Sequence, residues 1–410
     1  MNSPPKPPTA INSRGHPTEF QQVIEEKNQH FIGREFVFTA IHEFFHRYNQ
    51  GYFTIIGAPG SGKSAILAKY ATDNPQVIYY NAELEGKNRA DKFLRNICTQ
   101  LVEMLHITSL QTIPDNATEG SWFLSLLLQE ISEELQPNQK LIIAIDGLNC
   151  IDRNSQPSGT NLFYLPRYLP DGVYFLLTRR PFLREKSGLL IETPWQSLDL
   201  ANYPAENRQD IQAYIQSYLT HEEIPPTPLK KGGNILPLLR EVKEDLKSWL
   251  SEHNVSEQEF SDRLTNLSEN NFMYVSQIIN AIPSLRDATR TVSFANAAGF
   301  YAQQLDYNQL PPSLVAYYQQ HLQKMISPEQ GENISQAVLK VLIQQHEAIS
   351  VDALSQTAAG IAEIIDADEY DVEEVLENWL EFLQQQQITG ETHYSLYHSS
   401  FRHWLGTQQI

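Results

Sequence analysis

A parallel α/β sheet domain followed by two largely helical domains is the architecture this sequence predicts, on three observations. Between about Phe31 and Leu190, short and continuously apolar runs alternate with stretches whose apolar residues recur at helical spacing. After Leu200 the strand signals fade and amphipathic helical segments take over. Near the end the helices give way to an alternating stretch, Thr392-His393-Tyr394-Ser395-Leu396-Tyr397, of the kind that forms the hairpin of a winged helix.

Each part has its own local reason. Residues 1–30 open on a polar, Pro-rich lead and are expected to be a flexible segment. Residues 52–56, 77–80, 141–145 and 173–177 read as strands buried on both faces, because a parallel sheet covered by helices leaves no polar side. Residues 90–105 and 121–135 carry one apolar stripe each and read as the covering helices. Beyond them, 204–219 and 257–282 form amphipathic segments, and a further helical block runs from 311 to about 382. The expected domains are therefore 31–190, a sheet domain; 191–283, a helical domain; and 284–410, a winged-helix domain.

Composition narrows the function classes. At 410 residues the chain can bury more than one core, and 41% hydrophobic with 19% charged residues is the profile of a globular protein. No run approaches the roughly 18–20 apolar residues that span a bilayer, and the N-terminus has no apolar signal core. A cytoplasmic protein with no membrane partner is the expectation. Two cysteines, Cys98 and Cys150, exclude a disulfide framework and a four-cysteine zinc site. The net charge of −19 is uneven: residues 1–200 hold 18 basic and 21 acidic side chains, the remainder 12 and 28. An acidic second half lacks the basic field that nucleic-acid phosphates require, so no nucleic-acid partner is expected; such a surface suits solubility or a basic protein.

The chemistry is carried by one loop. The strand at 52–56 runs into Gly57-Ala58-Pro59-Gly60-Ser61-Gly62-Lys63-Ser64, and Ala65 continues into a helix. This is the Walker A pattern in its strand, loop and helix setting. Its glycines allow backbone angles closed to other residues, so that successive N–H groups and the helix N-terminus converge on a phosphate. Gly57, Gly60, Ser61, Gly62, Lys63, Ser64 and Ala65 are the candidate binding residues, with Lys63 a point charge for the β- and γ-phosphates and Ser64 a hydroxyl ligand for Mg²⁺. ATP or ADP with Mg²⁺ is the implied ligand. The strand at 141–145 ends in Asp146, the Walker B candidate and second Mg²⁺-side oxygen donor. A third strand ends in Thr178-Arg179-Arg180-Pro181, where either arginine could sense the γ-phosphate.

These segments together resemble the STAND class of signalling NTPases within the AAA+ group, most closely its NACHT branch. The resemblance covers about 31–405. Phe31-Ile32-Gly33-Arg34-Glu35 is similar to the motif that precedes the P-loop and lies against adenine, which implies nucleotide contacts for Ile32, Gly33 and Arg34. Asp146-Gly147-Leu148 resembles the NACHT Walker B, and Arg180 stands in the sensor position before proline. Asn271-Phe272-Met273-Tyr274-Val275 resembles a motif of the helical domain, with Asn270 where the family often has glycine. His398, within Tyr397-His398-Ser399-Ser400-Phe401-Arg402-His403-Trp404-Leu405, matches the winged-helix histidine that contacts ADP phosphates in the closed state. The resemblance implies a switch: ADP holds the parts together, ATP releases them for assembly into a ring or filament, and a separate effector or sensor protein acts with the chain.

One departure bears on turnover. Asn149 and Cys150 occupy the positions where the resemblance places acids that position the attacking water. A neutral amide is no general base, so slow or absent hydrolysis is expected unless another base serves, and Asp152 is poorly placed to do so. The rival readings are an AAA+ ATPase with continuous turnover and a zinc protease. The latter rests on His42-Glu43-Phe44-Phe45-His46, an H-E-x-x-H pattern with no third ligand at metzincin spacing. Phe38, Ile41, Phe44 and Phe45 favour a packing helix there instead.

Overall fold

Five strands, all parallel, build the sheet on which the candidate site stands. The computed structural model describes residues 16–28, 30–84, 86–105, 113–181, 188–220, 236–252, 254–284, 312–326, 332–345, 347–362, 369–388 and 390–408. The chain divides into two units: one runs to Gly57 and resumes over Lys63–Leu200, the other comprises Ala58–Gly62 and Ala201–Ile410.

The first unit contains α1 (Thr18–Asn28), α2 (Glu35–Arg47), β1 (Gly51–Ile56), α3 (Lys63–Asp73), β2 (Ile78–Asn81), α4 (Ala90–Met104), α5 (Trp122–Glu134), β3 (Leu141–Asp146), β4 (Val173–Arg179) and β5 (Trp195–Asp199). The order is β2-β3-β4-β1-β5, so β4 is inserted between the P-loop strand and the strand that ends in Asp146. Every residue of β1, β2 and β3 is buried, as expected of strands covered on both faces. Because the strands are parallel, their C-terminal ends share one edge, where ligands of such sheets bind. In register, Asn81 lies opposite Asp146, and Ile56 lies between Arg179 and Asp199.

Two features differ from the sequence expectation. Residues 18–28, assigned to the flexible lead, form α1; Phe20 and Ile24, four apart on one helix face, are buried, and Phe20 packs on the rings of Tyr79 and Tyr80. The rest of that lead up to residue 15 lies outside the described residues. The sheet also extends past 190 to β5, an edge strand whose Trp195 is exposed and whose Leu198 is buried, a pattern too weakly apolar to read as a strand.

The second unit contains α6 (Pro204–Leu219), α7 (Leu236–Glu252), α8 (Glu257–Ser268), α9 (Phe272–Ser284), α10 (Pro312–Met325), α11 (Glu332–Gln344), β6 (Ile349–Ser350), α12 (Val351–Ala362), α13 (Glu369–Trp379), β7 (Leu383–Ile388), β8 (Glu391–Leu396) and α14 (Ser399–Gly406). β6, β8 and β7 form a three-stranded antiparallel sheet in that order. A single buried cluster includes Tyr214 and Trp249 as well as Trp379 and Phe401, so side chains from both expected helical domains share it. The turn from α8 to α9 places Glu269 (φ 47°) and Asn270 (φ 64°) in the left-handed region. That explains a preference for glycine at 270, and asparagine is the residue that tolerates the conformation best after it. Asn271 then caps α9, its Oδ1 accepting from the Tyr274 N–H at 3.0 Å.

Candidate functional site

The loop after β1 turns on Gly60 (φ 77°) and Gly62 (φ 90°), and α3 begins at Lys63. Its entry is fixed by the Gly57 N–H, which donates to the Arg179 carbonyl at the end of β4. Inside the turn the Ser61 N–H donates to the Ala58 carbonyl at 3.2 Å. Lys63 folds back over the loop and donates from Nζ to the Gly57 carbonyl at 2.8 Å. The tip, Ala58–Gly62, is bonded to the start of α9: Asn271 Nδ2 donates to the Pro59 carbonyl at 3.1 Å, and the Met273 N–H to the Gly60 carbonyl at 3.2 Å. A Cβ on Gly60 would lie 2.3 Å from Asn271 Oδ1, so only glycine fits there.

Asp146 ends β3 with 1% of its surface exposed. Its Oδ1 accepts from the Thr178 hydroxyl, and its Oδ2 from Tyr79 and Asn81, each at 3.4 Å; the Ser64 hydroxyl also donates to the carboxylate. Burial, and then the nearby Glu83 charge, push the carboxyl up to about 6, against the hydrogen bonds from Thr178 and Ser64 and the charge of Lys63. Lys63 moves the other way, down to about 8, through burial and then the positive charge of Arg180; Asp146, Glu83 and Asp199 oppose that fall. Two cations near one another, Lys63 with its pKa lowered and Arg180 contributing to that fall, make a place that an anion would stabilise. Oxygen donors suit Mg²⁺, which takes one or two protein ligands beside substrate phosphates; Ser64 and Asp146 are joined by a hydrogen bond and fit that requirement.

Lys63, Ser64, Asp146 and Arg180 therefore lie near enough to act on one another: Ser64 and Lys63 on Asp146, and Arg180 on Lys63. Ala65 follows on α3, half-buried. Gly33 (φ 74°) and Arg34 (φ 70°) make a left-handed turn into α2, with Ile32 half-buried before them. Arg34 is 2% exposed, and its guanidinium lies 5.9 Å from the centre of the Phe36 ring. His398 belongs to the second unit and is fully buried; its Nε2 lies 3.0 Å from the Ser268 carbonyl, and its Nδ1 accepts from the Ser400 N–H at 3.1 Å. Since Nδ1 accepts, Nε2 carries the proton and donates to Ser268. Burial lowers the pKa of this ring and keeps it neutral.

The sequence reading missed Tyr79, Asn81, Glu83 and Thr178. Thr178 stands in the Thr178-Arg179-Arg180-Pro181 segment, where sequence alone gives it no role; it donates to Asp146 and accepts from the Gly147 N–H at 3.0 Å. The others lie on or just past β2, and nothing in a single sequence says which strand will lie beside β3.

His42 and His46 share one face of α2 with their Nε2 atoms 3.1 Å apart, but among the described residues no three His, Cys, Asp or Glu side chains converge on a metal position. The helix packs instead, Phe44 lying against Phe53 and Tyr174. Among the described residues no helix is long and apolar enough to cross a membrane.

Residues 30–173 match the family pattern described as the AAA ATPase domain. This part of the chain is an AAA-type P-loop ATPase domain. A 136-residue stretch is 30% identical to telomerase protein component 1 of Rattus norvegicus, covering 30% of this chain and 5% of that protein. A Walker-type ATPase of Pyrococcus abyssi aligns over 97% of this chain and 99% of its own with a TM-score of 0.51 at 13% identity, a likeness of fold alone. Drosophila ORC, solved bound to DNA, overlaps at a TM-score of 0.38 and 14% identity, over 95% of this chain and 99% of its own.

Proposed function

We propose that the chain is a nucleotide-dependent signalling switch: it binds ATP or ADP with Mg²⁺ at the ATPase domain, changes conformation with the nucleotide held, and self-associates in the ATP state. The observation that carries this reading is a shared carbonyl. Ser268 O accepts from His398 Nε2 and from the Asn271 N–H at 2.7 Å, and Asn271 in turn holds the P-loop tip through Pro59. A phosphate that rearranges residues 58–62 therefore pulls on Asn271, and through Ser268 on the histidine that caps α14. The α10–α14 segment, with its helices and small antiparallel sheet, has the elements of a winged helix, in keeping with the STAND and NACHT resemblance. Direct contact of His398 with a phosphate would require Nε2 to exchange the Ser268 carbonyl for phosphate oxygen, and the relay through Asn271 needs no such exchange.

In this reading Lys63, Arg180 and the loop N–H groups bind phosphates, Ser64 and Asp146 hold Mg²⁺, and Ile32, Gly33 and Arg34 form the adenine side. Mg²⁺ supplies charge neutralisation at the phosphates. Partners would be further copies in a ring or filament, and a separate effector or sensor; the acidic second half argues against nucleic acid, and the cytoplasm is the location this reading assigns. The test is to identify the nucleotide retained by the purified chain and to measure its mass by light scattering with ATP and with ADP. Monomer with ADP and assembly with ATP are expected; no bound nucleotide and one mass throughout would sink the proposal. Continuous turnover is the second reading, favoured by the position of Glu83 beside Asp146.

A further inference from the structure

Resting on the proposed nucleotide site, we infer that Glu83 is the catalytic base for ATP hydrolysis, supplied by β2 in place of the acids missing after Asp146. Glu83 lies two residues beyond the end of β2, on the strand paired with β3. Its N–H donates to Asn81 Oδ1 at 2.7 Å, while Asn81 Nδ2 reaches Asp146, so one asparagine ties the backbone of Glu83 to the Mg²⁺-side carboxylate. The side chain then lies across Gly147: a Cβ there would be 2.6 Å from Glu83 Cγ, and Gly147 is left-handed at φ 77°. Cys150, where an acid is missing, places its thiol 3.9 Å from Glu83 Oε1. The vacated acid position and Glu83 thus adjoin.

Other carboxylates fail on position. Asp146 is buried and already accepts from Thr178, Tyr79, Asn81 and Ser64. Asp152 accepts from the Asn154 N–H at 3.0 Å and faces Arg89 at 3.9 Å. Asp199 acts on Lys63 from β5, across the sheet from β3. Glu83 alone among these acts on both Lys63 and Asp146, which bracket the place of a γ-phosphate, and it is exposed enough to meet water. In the step, water oxygen bonds to the γ-phosphorus as the bond from that phosphorus to the β,γ-bridging oxygen breaks. The electron pair leaves with ADP, and the water proton passes to a Glu83 carboxylate oxygen and then to solvent.

The experiment compares the full chain with Glu83→Gln, Glu83→Asp and Lys63→Ala in single-turnover phosphate release from Mg-ATP, alongside affinity for a fluorescent ATP analogue and the thermal midpoint. Glutamine keeps the size and the backbone bond to Asn81 and loses the charge together with proton acceptance; a structural role predicts no change in release, and a role through charge on Lys63 and Asp146 alone would show in ATP affinity, which is measured beside it. The expected result is a fall of about 100-fold or more in release for Glu83→Gln with binding within about threefold, and an intermediate rate for Glu83→Asp. Glu83→Gln hydrolysing within about threefold of the parent, or a parent no faster than Lys63→Ala, overturns the assignment while leaving nucleotide binding standing. Should Glu83→Gln fail to fold, the Glu83→Asp rate decides: one equal to the parent's overturns the assignment. A parent that binds no ATP overturns the nucleotide reading itself.

Discussion

Gly60→Ala is the perturbation whose cost can be worked most directly from the structure. Alanine at φ 77° costs about 1 kcal/mol. Its Cβ, 2.3 Å from Asn271 Oδ1, also drives that side chain away. Displacing Asn271 removes the cap of α9, about 1 kcal/mol, and its bond to the Pro59 carbonyl, about another 1 kcal/mol. Gly60→Ala should therefore cost about 3 kcal/mol and Asn271→Ala about 2 kcal/mol. The double variant has no clash left to relieve, so it should cost about 3 kcal/mol, leaving a coupling of about 2 kcal/mol. Urea unfolding of the full chain, followed through the buried Trp249 and Trp379 of the second unit, measures all three values. Costs that add within about 0.5 kcal/mol would show that Asn271 does not hold the loop, and the relay to His398 would fall with it.

Four further outcomes follow from the charged and titratable groups. With Lys63 at about 8, raising the pH from 7 to 9 should weaken ATP binding about tenfold, with proton uptake in calorimetry across buffers; affinity flat over that range would refute it. The depressed value also means the charged lysine costs the free fold stability below about 8, a cost relieved as the pH rises from there toward 10.5. Asp146→Asn should remove the Mg²⁺ dependence of ATP binding, measured with and without chelator, while Mg²⁺-free binding persists; an unchanged Mg²⁺ response would exclude Asp146 as a ligand. Because the folded pKa of His398 lies below 6.5, its contribution is present above 6.5 and lost as the pH falls below it, when Nδ1–H would meet the Ser400 N–H. A thermal midpoint of the parent no more acid-sensitive below pH 6.5 than that of His398→Ala would contradict this.

Much of the site was legible because its chemistry is contiguous. Gly57 to Ser64 carries its glycines, lysine and hydroxyl in one stretch, and the buried strands announce themselves as unbroken apolar runs. Asp146 could be named because a strand with no polar side ends in it. Less was legible wherever the decisive neighbour is distant in sequence. β5 is not legible in sequence because an edge strand needs only one buried side chain, Leu198, to hold its place. The helix at 18–28 was hidden behind prolines that precede it, and only the burial of Phe20 on Tyr79 and Tyr80 gives it a reason to form.

The sequence by itself determined that a Walker A loop runs from a buried strand into a helix, that Asp146 ends another such strand, and that Asn149 and Cys150 after it carry no carboxylate. Tertiary structure alone decided which carboxylate lies beside Cys150 and what holds the loop. Strand order is set by how the α/β layers pack, and it placed β2 beside β3, bringing Asn81 and Glu83 to Asp146. The left-handed turn at 269–270 aimed Asn271 at Pro59 and the Ser268 carbonyl at both Asn271 and His398. Local spacing encodes helices, strands and loops; which ends of them meet is fixed by burial of surfaces that no short window of sequence contains.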